Sequence, residues 1–327
     1  MRLLLIVNAS ASSVTARARV VIQKSLAADH EVSAAETSRP GHAIRLAQGA
    51  AAKGTDVVIV LGGDGTFNET ANGLAGTETA LGVLPGGSTN VFARTIGMTN
   101  DPIEATGELL GALGRGPGGI TSVGLGNVNG RRFLFHVGVG FDAAVVSMVE
   151  KRSALKRYLG HAYFAYCALR TWGFGYDRHH PHFGVVLHTE QGDEVTVDDG
   201  YFAIIMNSNP YTFVGERAFN LAPGTSLTTP LVGVVLRSVG APTLLRMATA
   251  ALRTPADGPA PKHRKATVVK GVVSATLTAR GHVPYQMDGE PLGDAGQLRF
   301  GWEPDSLRLV VPVLPSRPGP ADDASAG

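Results

Sequence analysis

Val57-Val58-Ile59-Val60-Leu61-Gly62-Gly63-Asp64-Gly65-Thr66-Phe67-Asn68-Glu69 is the stretch on which the fold turns. Five consecutive aliphatic residues, most of them β-branched, have no polar face and so read as a strand buried on both sides. Gly62 and Gly63 stop it, and Thr66 opens a helix. Glycines let the backbone turn tightly and bring N–H groups against an anion, and the helix N-terminus adds roughly half a positive charge. The segment therefore reads as a phosphate cradle. Asp64 inside it would repel a bare phosphate. Its carboxylate makes sense beside a Mg²⁺ ion or a hydroxyl proton, or else as a plain helix cap.

Outward from this strand the first ~125 residues alternate short apolar runs with helical segments, the pattern of βαβ units around a parallel sheet. Strands are expected at Leu3 to Val7, Val32 to Ala35, Val57 to Leu61 and Leu81 to Leu84, with helices over 14–27 and 41–53. Leu3 to Val7 is too short an apolar run for a leader peptide and reads as a first buried strand. Ligands of such sheets bind at the carboxyl ends of strands, and a second glycine turn, Leu84-Pro85-Gly86-Gly87-Ser88-Thr89-Asn90, stands at one of those ends. Beyond Gly116-Pro117-Gly118-Gly119 strands dominate: Arg132 to Val139, His182 to His188, Phe202 to Met206, Val232 to Val239 and Val268 to Leu277. An α/β domain over 1–125, a β-rich domain over 126–312 and a disordered tail over 313–327 are expected.

Composition narrows the function classes. Hydrophobic residues make up 44% and charged residues 17% of the 327, and no run approaches the ~18 apolar residues of a membrane-spanning helix. A formal charge of +2 gives no reason to expect nucleic acid as a partner. The single cysteine, Cys167, excludes an internal disulfide and suits a reducing cytoplasm.

Four motifs, taken in order, resemble the diacylglycerol kinase catalytic family, which also contains sphingosine and ceramide kinases. They are Gly62-Gly63-Asp64-Gly65-Thr66-x-Asn68-Glu69; Leu84-Pro85-Gly86-Gly87-Ser88-Thr89-Asn90-x-Phe92-Ala93-Arg94; Gly138-x-Gly140-Phe141-Asp142-Ala143; and Met287-Asp288-Gly289-Glu290. The resemblance spans residues 1 to about 312. It implies an α/β nucleotide-binding domain shared in outline with NAD kinases, followed by a β-rich, β-sandwich-like lipid-binding domain. ATP with Mg²⁺ would be the phosphate donor. Asn8, Thr37, Gly62, Gly63, Asp64, Gly65, Thr66, Asn68, Glu69, Gly87 and Ser88 would meet the nucleotide, with Asp64 toward the nucleotide's Mg²⁺. Glu290 would be the catalytic base for a lipid hydroxyl, supported by Asp64, and Asp142 and Asp288 would line the substrate end.

Two departures from the family pattern carry weight. Asn90-Val91 stands where bacterial members commonly have Asn-Asp, and Ser226-Leu227-Thr228-Thr229-Pro230 replaces an Asp-rich strand entry. Both missing carboxylates belong, in the family, to a network around a structural Mg²⁺. A lipid substrate also implies peripheral docking at the inner membrane surface. Lys151, Arg152, Lys156, Arg157, Lys262, Arg264 and Lys265 are the candidate cations, and the apolar face of a helix over 242–253 is a candidate for insertion. A homodimer through an edge strand is a further expectation. Three readings stay open: a lipid kinase acting on diacylglycerol or a sphingoid base, an NAD-kinase-like enzyme with a soluble acceptor, and a non-catalytic nucleotide- or lipid-binding module.

Overall fold

Four parallel strands, β1 (Arg2–Val7), β2 (Glu31–Glu36), β3 (Val57–Gly62) and β4 (Ala80–Pro85), lie in the order β2-β1-β3-β4. The computed structural model describes residues 1–9, 11, 14–151, 163 and 166–312. Every residue of β3 and β4 is buried, as their unbroken apolar runs require. Helices α1 (Ala16–Ala27), α2 (His42–Ala52), α3 (Asp64–Leu74), α4 (Val91–Thr95) and α5 (Pro102–Gly114) connect or flank the strands. Thr15 caps α1 by accepting from Ala18 N–H, and Asp101 caps α5. The register aligns Val7 with Glu36 and Leu61, and Gly62 with Pro85. The carboxyl ends of all four strands therefore open at one edge of the sheet.

The second part of the chain contributes β5 (Ile120–Val128), β6 (Arg131–Phe133), β7 (His136–Gly140), α6 (Phe141–Glu150), β8 (Phe183–Thr189), β9 (Glu194–Gly200), β10 (Phe202–Met206), a hairpin of β11 (Thr212–Val214) and β12 (Arg217–Phe219), β13 (Leu231–Leu236), α7 (Ala241–Arg253), β14 (Ala266–Met287) and β15 (Glu290–Val310). Among the described residues thirteen strands form one sheet rather than two separate ones. The long strands β14 and β15 make this continuity. Bulges bend them, so that β13, β8 and β7 pair with successive stretches of β14 and the sheet folds over a second core. The far end of β15 ties it to the first half: it runs antiparallel to β5 and parallel to β4, pairing Leu309 with Leu81.

That return brings residues from beyond 125 into the core of the first half. Leu134, Phe135, Leu227 and Leu307 to Val311 include side chains that pack into the same core as β1, β3 and β4. The predicted strand over 132–139 is likewise broken at Leu134 and Phe135. Their N–H groups leave the ladder to donate to the carboxylate of Asp288. The apolar face of α7 is also not free for a bilayer: Thr243, Met247 and Ala251, spaced by four, are buried, the latter two in a third core, and among its large apolar residues only Leu245 is exposed. Arg152, Lys156, Arg157 and the tail 313–327 lie outside the described residues.

Candidate active site

The two glycine turns meet backbone to backbone at the open edge of the parallel sheet. A Cβ on Gly86 would come within 3.0 Å of the Gly62 backbone, and one on Gly87 within 3.0 Å of Gly63 Cα. Only glycines permit this approach. Asp64, the first residue of α3, then crosses to the other turn: Oδ2 accepts from Val91 N–H at 3.0 Å and Oδ1 from Phe92 N–H at 2.9 Å. The carboxylate thus caps α4, the helix that follows the second turn. Asn90, in the left-handed region at φ 49°, accepts from Gly87 N–H through Oδ1 at 2.8 Å and fixes the turn from its other side. Ser88 stands exposed at the tip.

Asn8 and Thr37 follow the carboxyl ends of β1 and β2. Asn8 Nδ2 donates to Thr66 Oγ1 at 3.0 Å, tying β1 to the first turn of α3. Thr37 N–H donates to Val7. Glu69 faces the start of α2, where its two oxygens accept from Gly41 N–H at 2.7 Å and Ala43 N–H at 3.1 Å. It holds the loop that follows Thr37. Asn68 is buried and points the other way, donating to Arg132 O at 3.0 Å and to Asp288 Oδ2 at 2.8 Å. The first glycine turn and Ser88 therefore face the opening, whereas Asn68 and Glu69, expected at the nucleotide, brace the helix behind it.

Asp288 and Gly289 form the two-residue turn between β14 and β15, with φ of 49° and 83° and Met287 paired to Glu290. Positive φ at both positions is the type I′ geometry that Asp-Gly favours. The turn carries Glu290 across to the phosphate cradle, where Oε1 occupies the space that a Cβ on Gly65 would need. Arg131 lies 3.5 Å from Glu290 Oε2. Asp288 is buried, and besides Asn68 its carboxylate accepts from Leu134, Phe135 and His136 N–H at 2.7 to 3.0 Å. Burial raises its pKa to about 6, against the opposing effect of these four donors. Asp288, the residue expected at the substrate, pins α3 to the entrance of β7.

Asp142, at the start of α6, is equally occupied. Its Oδ1 accepts from Tyr211 OH at 2.5 Å and its Oδ2 from Gln286 Nε2 at 2.7 Å. Burial raises its pKa, opposed by those two bonds. Through Gln286 it is linked to the turn that carries Glu290. Arg131, Asn72, Gln286 and Tyr211 were not anticipated from the sequence. Asn72 exchanges hydrogen bonds with the Arg132 backbone in both directions. Gln286 carried a usable signal, a lone amide in a stretch that leads into Asp-Gly.

Oxygen donors for a resident metal do not converge here. Among the described residues no group of three or more His, Cys, Asp or Glu side chains could hold an ion, and both oxygens of Asp64 already accept from backbone N–H groups. Ser226, Thr228 and Thr229 bond one another across a tight turn. This is the neutral arrangement that suits the missing carboxylates.

Residues 2–115 match the family model described as the diacylglycerol kinase catalytic domain. A diacylglycerol kinase of Bacillus subtilis (strain 168) is 37% identical over 148 residues, 44% of this chain and 46% of that protein. A protein of Chromohalobacter salexigens named "Probable lipid kinase YegS-like" is 36% identical over 152 residues, 45% of this chain and 46% of that one. The matched segment thus spans about half the length of these relatives. A crystal structure of a diacylglycerol kinase from Bacillus anthracis str. Sterne superposes with a TM-score of 0.73 at 22% identity, covering 95% of this chain and 96% of that one. The two-part fold is therefore shared along nearly the whole chain.

Proposed function

We propose, from the match of residues 2–115 to the diacylglycerol kinase catalytic domain, that the chain transfers the γ-phosphate of ATP to the hydroxyl of a membrane lipid, with diacylglycerol as the first acceptor to test. The observation that carries this reading is the position of Glu290. A carboxylate from the second part of the chain lies directly over Gly65, at the N-terminus of α3. Phosphate binding and proton removal are thereby brought within one side chain's length of each other.

Bound ATP would supply the phosphoryl group, and the Mg²⁺ that travels with it would neutralise charge on the phosphates. The cradle suits phosphate: Gly63 and Gly65 are partly exposed and carry no side chain, and the dipole of α3 favours an anion at that end. Asn8, Thr66 and Ser88 would offer polar side chains around it. Glu290 would take the proton from the lipid hydroxyl as the new O–P bond forms and the bond to the leaving ADP breaks. A base so placed contributes roughly 10² to 10⁴ in rate. Asp64 and Asn90 keep the two turns in register, and Asp288 keeps the domains closed around them. In this reading Asp64 serves through geometry, since the oxygens expected to face Mg²⁺ cap α4.

Access to a bilayer would come from the far end of the second part. Tyr166, Leu169 and Phe174 are exposed, Phe174 at 96%, on a segment that packs beside Val239 through Trp172; Leu245 on neighbouring α7 is exposed as well. No helix among the described residues is long and apolar enough to cross a membrane. These apolar side chains, with Arg170 and Lys262 to Lys265 as cationic company, would dock the protein peripherally, each cation contributing about 1 kcal/mol near anionic headgroups.

Transfer of labelled γ-phosphate to diacylglycerol in mixed micelles, run beside a sphingoid base and NAD, tests the proposal. A phosphorylated lipid that disappears in Glu290→Gln supports it. Label on NAD alone supports the soluble-acceptor reading, and label on no acceptor would leave a binding module.

A further inference from the structure

Gln286 is fully buried and bonds at both ends of its amide. Nε2 donates to Asp142 Oδ2 at 2.7 Å, and Oε1 accepts from Gly289 N–H at 2.9 Å. An amide oxygen and nitrogen are interchangeable in shape but opposite in hydrogen bonding. Asp142, an acceptor at that contact, therefore dictates which end of the Gln286 amide faces it and leaves the oxygen for Gly289. Asp142 is itself oriented by Tyr211 OH on its other oxygen. Room for the pair exists because Gly138, opposite Gln286 in the β7–β14 ladder, has no side chain: a Cβ there would overlap Asp142 Oδ2 and stand 2.7 Å from Gln286 Nε2. Gly289 immediately precedes Glu290, in a turn whose two positive φ values take it out of the ladder.

We infer that Gln286 is a positioning residue for the Asp288-Gly289-Glu290 turn, with its amide orientation set by Asp142 and Tyr211, and that this chain of bonds fixes where the Glu290 carboxylate stands over Gly65. The inference rests on the kinase reading only for the catalytic part of its test. Its geometric part concerns the Gly289 N–H and holds for any activity.

The polarity of the chain gives a sharp experiment. In Asp142→Asn combined with Gln286→Glu, every bond is kept with its direction reversed at one contact. The amide installed at position 142 accepts from Tyr211 through its oxygen and donates through its nitrogen to one oxygen of the carboxylate installed at position 286. The other oxygen of that carboxylate accepts from Gly289. Each single substitution breaks the match, since Gln286→Glu sets two carboxylates face to face and Asp142→Asn lets the Gln286 amide flip away from Gly289. Gln286→Met, close in shape, removes both bonds. The three readouts are kcat and KM for ATP with the micellar lipid, and hydrogen exchange of the Gly289 amide. Gln286→Met is expected to lower kcat about 10²-fold, the cost of roughly 1 Å of misplacement, with KM for ATP within about twofold. Its Gly289 amide should exchange at least about tenfold faster. Each single variant should lose activity and the double variant should recover to within about fivefold of the wild type. A Gln286→Met protein with wild-type exchange at Gly289, or a double variant no better than the worse single one, overturns the inference. If Gln286→Met does not fold, the reversed pair decides alone. If the wild type phosphorylates no lipid, the kinase reading fails, while exchange at Gly289 still decides whether Gln286 holds the turn.

Discussion

Replacing Gly65 by alanine should give a protein that is at least as stable and far less active. A methyl group on Gly65 would stand under 3.0 Å from Glu290 Oε1, while ordinary contact begins at 3.4 Å. The obstructing atom is the tip of a flexible side chain, so the fold can accept the change if the carboxylate retreats by roughly 1 Å, a misplacement that costs on the order of 10² in rate. In free energy that is about 2.7 kcal/mol of transition-state stabilisation. Gly65 lies in the first turn of α3 and is not among the positive-φ residues. Alanine should therefore add up to about 1 kcal/mol to stability by helix propensity and a less flexible unfolded chain. The assay is labelled-phosphate transfer to micellar diacylglycerol, paired with urea denaturation. Because the methyl group acts through Glu290, Gly65→Ala added to Glu290→Gln should cost little more than Glu290→Gln alone. Activity within about threefold of wild type, or additive losses in the double variant, would refute the placement of Glu290 over the cradle.

Three other expectations follow from the same geometry. Asp64→Ala strips the acceptor from Val91 and Phe92 N–H and should cost about 1 to 2 kcal/mol by chemical denaturation, with weakened nucleotide binding in calorimetry; an unchanged midpoint would deny the cap its role. Asp288, its pKa raised from 3.8 to about 6 by burial in the folded protein, binds a proton more readily when folded than when unfolded between those pH values. Its contribution to stability therefore falls as pH rises from about 4 to 6, by on the order of 3 kcal/mol, and the slope of unfolding free energy against pH over that window should be more positive in Asp288→Asn than in wild type. Parallel slopes would remove Asp288 as its source. Leu169→Ser with Phe174→Ser should reduce sedimentation with anionic vesicles several-fold and leave thermal stability within about 0.5 kcal/mol of wild type, as expected for exposed positions; undiminished vesicle binding would place the docking surface elsewhere.

The first half of the fold was legible because its signals are local. Val57 to Gly65 states a buried strand, a turn and a helix start within one short segment, and the parallel order follows from alternation alone. What escaped the sequence was long-range. Nothing near Leu309 announces that it pairs with Leu81, and nothing near Leu134 explains why that strand breaks, because the cause is a carboxylate 154 positions away. The acidic site residues show the same divide. Glu290 Oε1 lies against Gly65 at the start of α3. Asp64 reads as a group for metal because a carboxylate inside a phosphate cradle would otherwise repel its ligand, and the resemblance places Asp142 and Asp288 at the substrate end. In space each is engaged by donors from another element, which is how a buried carboxylate becomes tolerable. Asn68 and Glu69 follow the same rule, conspicuous in the motif and engaged behind the helix.

The pairing of Leu309 with Leu81 also bears on how the protein is made. On the ribosome β4 emerges early and must wait, with one backbone edge unpaired, until almost the whole described chain has been synthesised. An apolar, fully buried strand held open for that interval is a template for mispairing with other nascent chains. Chain terminations or frameshifts near residue 300 would remove the partner and leave all four motifs intact. Such products should be recognised by chaperones and proteases as unfinished, so that cellular abundance of the phosphate-binding half depends on the far-distant residues of β15.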